Sequence, residues 1–258
     1  MKHKRLMILF ILLASMVGIA IYGAYNYYAP PQLREPYQLS AQKDDTIRIA
    51  YIGDSWAFMH KDHKCLIPRL LSELLNNPIK VNSYGICGLS SKEIYENFFE
   101  NTNFRNYLQK SHYQYCFISA GINDTYKKMS TTYYKKSMDG IIKFLLANNI
   151  RPIILEIPDY DIHKAYRKQK TEKKLLRRMS MLINGTPIDC KQDFRDALGE
   201  LIREKGYQDK VSVIRYKSWN SNYKNDLKQL YRTDGMHLNE YGYEVLDSVI
   251  AKEVIHYL

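Results

Sequence analysis

The chain has 258 residues, 45% of them hydrophobic and 25% charged, which fits one globular domain of moderate size with a real core and excludes repeat and low-complexity architectures. The formal net charge is +11, so an anionic partner has to be weighed, but the basic residues are gathered in a few segments and no nucleic-acid partner is expected. Tyrosine is frequent, 23 against 8 phenylalanines, a composition suited to surfaces that meet sugars or other half-polar ligands.

The chain opens Met-Lys-His-Lys-Arg and then runs uncharged from Leu6 to Ala24, close to the ~20 residues a helix needs to cross a bilayer. Lys2, Lys4 and Arg5 would stay inside and leave the rest of the chain outside. A cleavable signal peptide is the rival reading, because Gly18-Ile19-Ala20 offers small residues at a suitable spacing. The length of the run and a belt of Tyr22, Tyr25, Tyr27 and Tyr28 favour an uncleaved anchor. Residues 1–28 are therefore expected to be a transmembrane signal anchor, 29–45 with Pro30, Pro31 and Pro36 a stalk, and 46–258 the folded domain.

Ile47, Ile49, Ala50, Tyr51 and Ile52 form a β-branched, apolar run ended by Gly53, which predicts a buried strand. Ser55 follows at its carboxyl end, where open α/β sheets place their ligands; it reads equally as a nucleophile or as the N-cap of the next helix. A helix is expected over 61–75, with Leu66, Leu70, Leu71, Leu74 and Leu75 at helical spacing and Asn76-Asn77-Pro78 ending it. A second strand spans 79–84, and a glycine-punctuated turn holds Gly85 and Gly88 before Ser90 and Ser91 cap a helix. Further strands are expected over 113–120, 151–158 and 211–216, the first running straight into Gly121-Ile122-Asn123-Asp124. Helices are expected over 133–148, 163–181, 193–205 and 239–257. In the very basic 163–181 segment, Leu175, Leu176, Met179 and Leu182 are expected to face inward. Alternation of strand and helix implies a parallel sheet with helices on both faces.

Before the last helix stands Thr233-Asp234-Gly235-Met236-His237-Leu238. A carboxylate three residues ahead of a histidine, with glycine between, permits a tight turn in which Asp234 accepts from the imidazole and leaves its other nitrogen free to act as a base. The other histidines fit this role less well. His3 lies in the N-terminal tail, His163 in the basic segment and His256 near the end; His60 and His63 follow Ser55 too closely, and His112 precedes a strand at the opposite edge.

Gly53-Asp54-Ser55, Gly88, Gly121-Ile122-Asn123-Asp124 and Asp234-x-x-His237, in this order, resemble the blocks of the SGNH hydrolases, the GDSL-type esterase family, over residues 47–258. The resemblance implies a flavodoxin-like three-layer α/β/α sandwich with a mostly parallel five-stranded sheet. It also implies Ser55 as nucleophile, His237 as base and Asp234 as its orienting partner. The oxyanion hole would be the Ser55 and Gly88 main-chain N–H groups and the Asn123 amide. Trp56 stands where the family usually has leucine, and is expected on the pocket wall.

No cofactor is implied and no metal site is expected, since the histidines are scattered and the four cysteines lack paired short spacing. Cys116 is expected as a free core residue and Cys65 with Cys87 as a candidate disulfide. The loops near the site are rich in Tyr, Asn, Lys and Ser, which favours short acyl groups, acetyl above all. The expected activity is hydrolysis of acyl esters on a small molecule or cell-surface carbohydrate by a membrane-anchored, extracytoplasmic enzyme, or a secreted one if the leader is cleaved. An O-acyltransferase using the same residues and a silent glycan-binding module are the alternatives.

Overall fold

The computed structural model describes residues 2–40, 45–61, 64–73, 75, 77–220 and 222–257. In chain order the elements are α1 (Lys2–Tyr28), β1 (Ile47–Gly53), α2 (Ser55–His60), α3 (Ile67–Ser72), β2 (Ile79–Gly85), α4 (Ser91–Glu100), α5 (Thr102–Gln109), β3 (Tyr115–Ser119), α6 (Ile122–Lys127), α7 (Thr131–Ala147), β4 (Arg151–Leu155), α8 (Ile162–Arg167), α9 (Thr171–Asn184), α10 (Lys191–Glu204), β5 (Ser212–Ile214), α11 (Tyr223–Leu230) and α12 (Glu240–Ile255).

All five expected strands form, in the order β2-β1-β3-β4-β5, and every pair is parallel. Such a sheet must be covered on both faces, and β3 is accordingly buried at all five positions. The covering layers are α4, α7 and α10, packed together, and α3 with α12, giving the expected three-layer α/β/α sandwich. The chain leaves β1 first for β2 on one side and then for β3 on the other. The carboxyl end of β1 is thus the point where the winding reverses, and there the loops after β1, β2 and β3 open a crevice together.

Local signals explain several boundaries. Ser90 caps α4 in a capping box with Glu93, and Asn239 caps α12 by accepting from the Gly242 N–H. Proline in the first turn starts α3. The expected 61–75 helix is shorter, only Ile67–Ser72, because its start is set by Pro68 in the first turn; Leu74, Asn76 and His63 lie outside the described residues. The expected 163–181 helix is two helices, α8 and α9. Its apolar side is also turned the other way. Leu175, Leu176, Met179 and Leu182 are exposed, while Ser180 is buried, because the polar face finds hydrogen-bond partners, Arg177 and Asn184 on the end of α6 and Ser180 on Tyr28.

The 29–40 segment takes no regular structure, yet it lies along the domain. Tyr37 Oη donates to Phe98 O, Arg34 N–H donates to Tyr95 Oη, and Asn148 bonds the main chain at Leu39 and Tyr37. The four cysteines are free, Cys116 and Cys190 in the core, so the Cys65–Cys87 pairing is not formed.

Gly53 ends β1 opposite Gly85 on one side and Ser119 on the other. A Cβ on Gly53 would lie 2.1 Å from the Ser119 carbonyl oxygen, so strands β1 and β3 close on each other only because that position is bare. Gly53→Ala should therefore lower stability by at least the ~1–3 kcal/mol of ordinary overpacking. Chemical denaturation checks this, and an unchanged midpoint would contradict the close approach.

Candidate active site

Asp54 is the residue that turns the chain from β1 into α2. Its carboxylate accepts from the Trp56 N–H at 3.0 Å, which makes Asp54, not Ser55, the helix cap. Ser55 is then the first residue of α2, with its hydroxyl free for a partner outside the helix and its main-chain N–H among those that have no intrahelical acceptor.

The hydroxyl's partner comes from the opposite end of the chain. Residues 231–238 form a tight loop closed by the Tyr231–Leu238 bridge and by Arg232 N–H donating to His237 O at 2.7 Å. Gly235 takes φ +71° at its tip, a conformation that favours glycine. Tyr223 Oη holds the tip by donating to Gly235 O at 2.6 Å, a brace from α11 that no sequence pattern marks.

Inside this loop Asp234 accepts from the Met236 and His237 N–H groups at 2.8 and 2.9 Å and faces the His237 ring, Oδ2 to Nδ1, at 2.7 Å. Partial burial pushes its carboxyl up, but these bonds more than offset it and hold the group below its ordinary value. An ionised carboxylate can only accept, so Nδ1 carries the ring proton and Nε2 presents its lone pair. Nε2 stands 2.9 Å from Ser55 Oγ and accepts the hydroxyl proton. Ser55, His237 and Asp234 are thus in one chain of hydrogen bonds. Gly88 lies in the loop after β2 with φ +82°, and Asn123 lies in the first turn of α6 after β3. Sheet order places both loops beside Ser55. Asn123 Nδ2 donates to Asp54 Oδ2 at 3.4 Å, which occupies one N–H of the amide and leaves the other.

Two buried carboxylates frame this corner, and neither role was read from the sequence. Asp124 accepts from the Ser91 N–H and hydroxyl at 2.8 and 2.6 Å, pinning the start of α4 to α6. Burial pushes Asp124 up to about 6 despite these bonds. Burial likewise pushes Asp54 up to about 7, opposed by the Trp56 N–H and reinforced by the charge of Asp124. Trp56 is a correction: it is fully buried, edge-on to Trp219 at 5.9 Å, and is a core residue rather than part of a pocket wall.

A second Ser-His-Asp chain exists. His60, turned away from Ser55, bonds Ser83 Oγ at 2.8 Å and Asp247 at 2.7 Å. Ser83 lies within β2, with its main chain committed to the sheet ladder, and His60 is 1% exposed. His60, Cys65 and Asp247 also bring metal-ligand atoms within 4.8 Å of one another. Both ring nitrogens of His60 and both oxygens of Asp247 are already hydrogen-bonded, the last by the Leu66 N–H at 2.7 Å. The cluster therefore fastens α2 and α12 to the sheet.

Residues 51–245 match the model of the GDSL-like Lipase/Acylhydrolase family, a span that includes Ser55, Gly88, Asn123, Asp234 and His237. Solved structures share the fold at low identity. A GDSL-like lipase from Bacteroides thetaiotaomicron superposes with a TM-score of 0.52 at 15% identity, covering 82% of this chain and 89% of that one. The lipase/acylhydrolase from Enterococcus faecalis gives 0.55 at 16%, covering 82% and 97%. An acetyl xylan esterase gives 0.54 at 15%, covering 81% and 100%. A curated relative, the N-acylneuraminate cytidylyltransferase of Escherichia coli O18:K1:H7, is 28% identical over 186 residues, 69% of this chain. The chain spans about a third of that relative's length, 36%.

The raised Asp54 pKa carries a sign. Above the ordinary carboxylate value and up to about pH 7, the folded state keeps a proton that the unfolded chain has released, so this group's contribution to stability falls as pH rises through that window. Asp54→Asn keeps an oxygen for the Trp56 N–H and cannot ionise. Its melting temperature relative to the unsubstituted protein should rise from pH 5 to pH 7 and level off above; a difference constant with pH would contradict an uncharged folded Asp54 below neutrality.

Proposed function

The chain belongs to the GDSL-like lipase/acylhydrolase family, and on that premise we propose that it is a serine esterase that removes short acyl groups, acetyl above all, from a carbohydrate at the cell surface. The observation that carries this reading is the unbroken path Asp234–His237–Ser55 at the carboxyl end of β1. Ser55 Oγ attacks the acyl carbonyl carbon while its proton passes to His237 Nε2, and the imidazolium that forms is stabilised by ionised Asp234. As the tetrahedral intermediate collapses, the sugar oxygen leaves with that proton and an acyl-Ser55 ester stays behind. Water, deprotonated by His237, then releases the acid and restores Ser55.

The negative oxygen of each intermediate would meet the Ser55 N–H at the start of α2, the Gly88 N–H and the second N–H of Asn123. Asp54, by holding the first, would orient the amide. The polar, tyrosine-rich loops support a small acyl group on a sugar, as does the likeness to a relative named for an N-acylated sugar acid.

The reading extends to location. α1 contains an apolar stretch, Phe10–Tyr28, long enough to cross a bilayer, and no part of it is buried. With Lys2, Lys4 and Arg5 inside, α1 would be the anchor, and the hydrolase domain over 46–258 would lie outside the cytoplasm.

Ser55→Ala and His237→Ala should each abolish release of acetate from an acetylated sugar, by similar factors, because groups acting as a unit are not additive. Asp234→Asn should cost up to about 10⁴, the size of the wrong-tautomer effect in serine proteases, and Asn123→Ala about 10² to 10³ in turnover. Activity surviving Ser55→Ala would overturn the mechanism, and acetyl transfer to an added sugar in place of acetate release would assign a transferase instead. Full-length protein should also stay with membranes through an alkaline carbonate wash; its release in soluble form would refute the anchor.

A further inference from the structure

The unexplained feature outside the site is α9. An amphipathic helix on a globular protein normally buries its apolar stripe. Here Leu175, Leu176, Met179, Leu182 and Ile183 are all exposed, Leu182 at 84%. At about 100° per residue these five fall within roughly a third of the helix circumference, so they form one continuous face. The opposite face holds the helix to the domain. Ser180 is buried, Asn184 Nδ2 donates to Lys128 O at 2.7 Å, and Arg177 donates to Lys127 O while its guanidinium lies over the Tyr126 ring. The polar side is thus committed, and the apolar side is presented outward.

The neighbours of that face indicate what covers it. Tyr28, the last residue of α1, hydrogen-bonds Ser180 in the middle of α9. Ile183 shares a groove of about 420 Å³ with Ile21, Ala24, Tyr25, Tyr28 and Pro30. The apolar face of α9 is therefore continuous with the exposed apolar surface of α1 at the tyrosine-rich end, where a spanning helix would leave the bilayer. Arg167, Lys168, Lys170, Lys173 and Arg178 are exposed on α8, α9 and the turn between them, and Lys173 and Arg178 flank the stripe on its two sides. Flanking cations around a leucine-rich face match the headgroup layer of an anionic bilayer, where the chains can reach phosphate while the apolar side chains enter the acyl boundary.

We propose that α9 is an interfacial helix that lies on the membrane crossed by α1, in contact with anionic phospholipid, and gives the hydrolase domain a second attachment point. A domain held at α1 alone could rotate with α1 about the membrane normal or tilt with it; one held at two points presents the Ser55 crevice at a fixed height and angle. Because α9 docks on the end of α6, which carries Asn123, the attachment is made through the same layer that builds the site. The inference rests on the reading of α1 as a membrane span, and the test separates the two.

Full-length protein with Cys65→Ser and Cys87→Ser is reconstituted into phosphatidylcholine–phosphatidylglycerol vesicles. Nitroxide labels are placed singly through Val17→Cys in α1, Leu182→Cys in α9, or Lys205→Cys just past the end of α10, and collision with oxygen and with a water-soluble nickel chelate is measured for each. The expected result is lipid-type behaviour at both 17 and 182, with an oxygen-to-nickel ratio several-fold above that at 205. Replacing phosphatidylglycerol by phosphatidylcholine should lower the ratio at 182 and leave that at 17 unchanged. If 17 is in lipid while 182 is as open to nickel as 205, the interfacial helix is refuted and the anchor stands. If 182 is shielded from both quenchers, another protein surface or a second copy covers the face, and the proposal is equally refuted. Nickel access at 17 would overturn the anchor and this inference together.

Discussion

The contact of 2.9 Å between His237 Nε2 and Ser55 Oγ joins residues 182 positions apart, and the fold is what makes it short. Ser55 is placed by the end of β1 and the Asp54 cap; His237 is placed by a loop tied to itself through Arg232 and to α11 through Tyr223. Neither segment touches the other along the chain. A displacement of one ångström at either end would turn a hydrogen bond into a gap, so the packing of α12 and α3 over the sheet is part of the site's geometry rather than a background to it.

Much of this corner was legible because its signals are local. Strands of a parallel sheet read as short runs ended by turn residues, and the five runs expected as strands form the five strands. The Asp234-x-x-His237 spacing encodes a turn whose glycine, main-chain N–H groups and carboxylate all lie within four residues, so its hydrogen bonds could be anticipated without knowing the rest. Ser55 had two readings, cap or nucleophile; Asp54 takes the cap, which removes the first and leaves the serine hydroxyl to bond His237.

What could not be read depends on contacts between distant segments. The Ser91–Asp124 bonds, the Tyr223 brace and the second Ser-His-Asp chain through Ser83, His60 and Asp247 join residues whose types are ordinary at those positions. Trp56 was expected on a pocket wall, yet it fills core space beside Trp219. The orientation of α9 misled for a related reason. Periodicity identifies an apolar face but not which way it turns, and inward is the right default only when the polar face has nothing better to bind. Here main-chain carbonyls at the end of α6 supply partners for Arg177 and Asn184, and the Tyr28 hydroxyl at the end of α1 bonds Ser180.

The end of α1 is held from several directions, and this limits what the linking segment can do. Lys92 donates to the carbonyls of Asn26 and Ala29, satisfying oxygens that a helix terminus leaves without intrahelical partners. Residues 29–40 then run along α4 and α7, with Arg34 paired to Glu100 and Tyr37 packed edge-on to Phe144. A proline-containing spacer would ordinarily act as a semi-rigid stalk and lift a domain away from its anchor. A spacer whose hydrogen bonds and rings are spent on the domain surface cannot extend without breaking them. The short connection to α1 and the outward apolar face of α9 therefore impose the same condition: whatever surface receives α1 lies directly against the domain, and the substrate must reach Ser55 from the side that this surface leaves open.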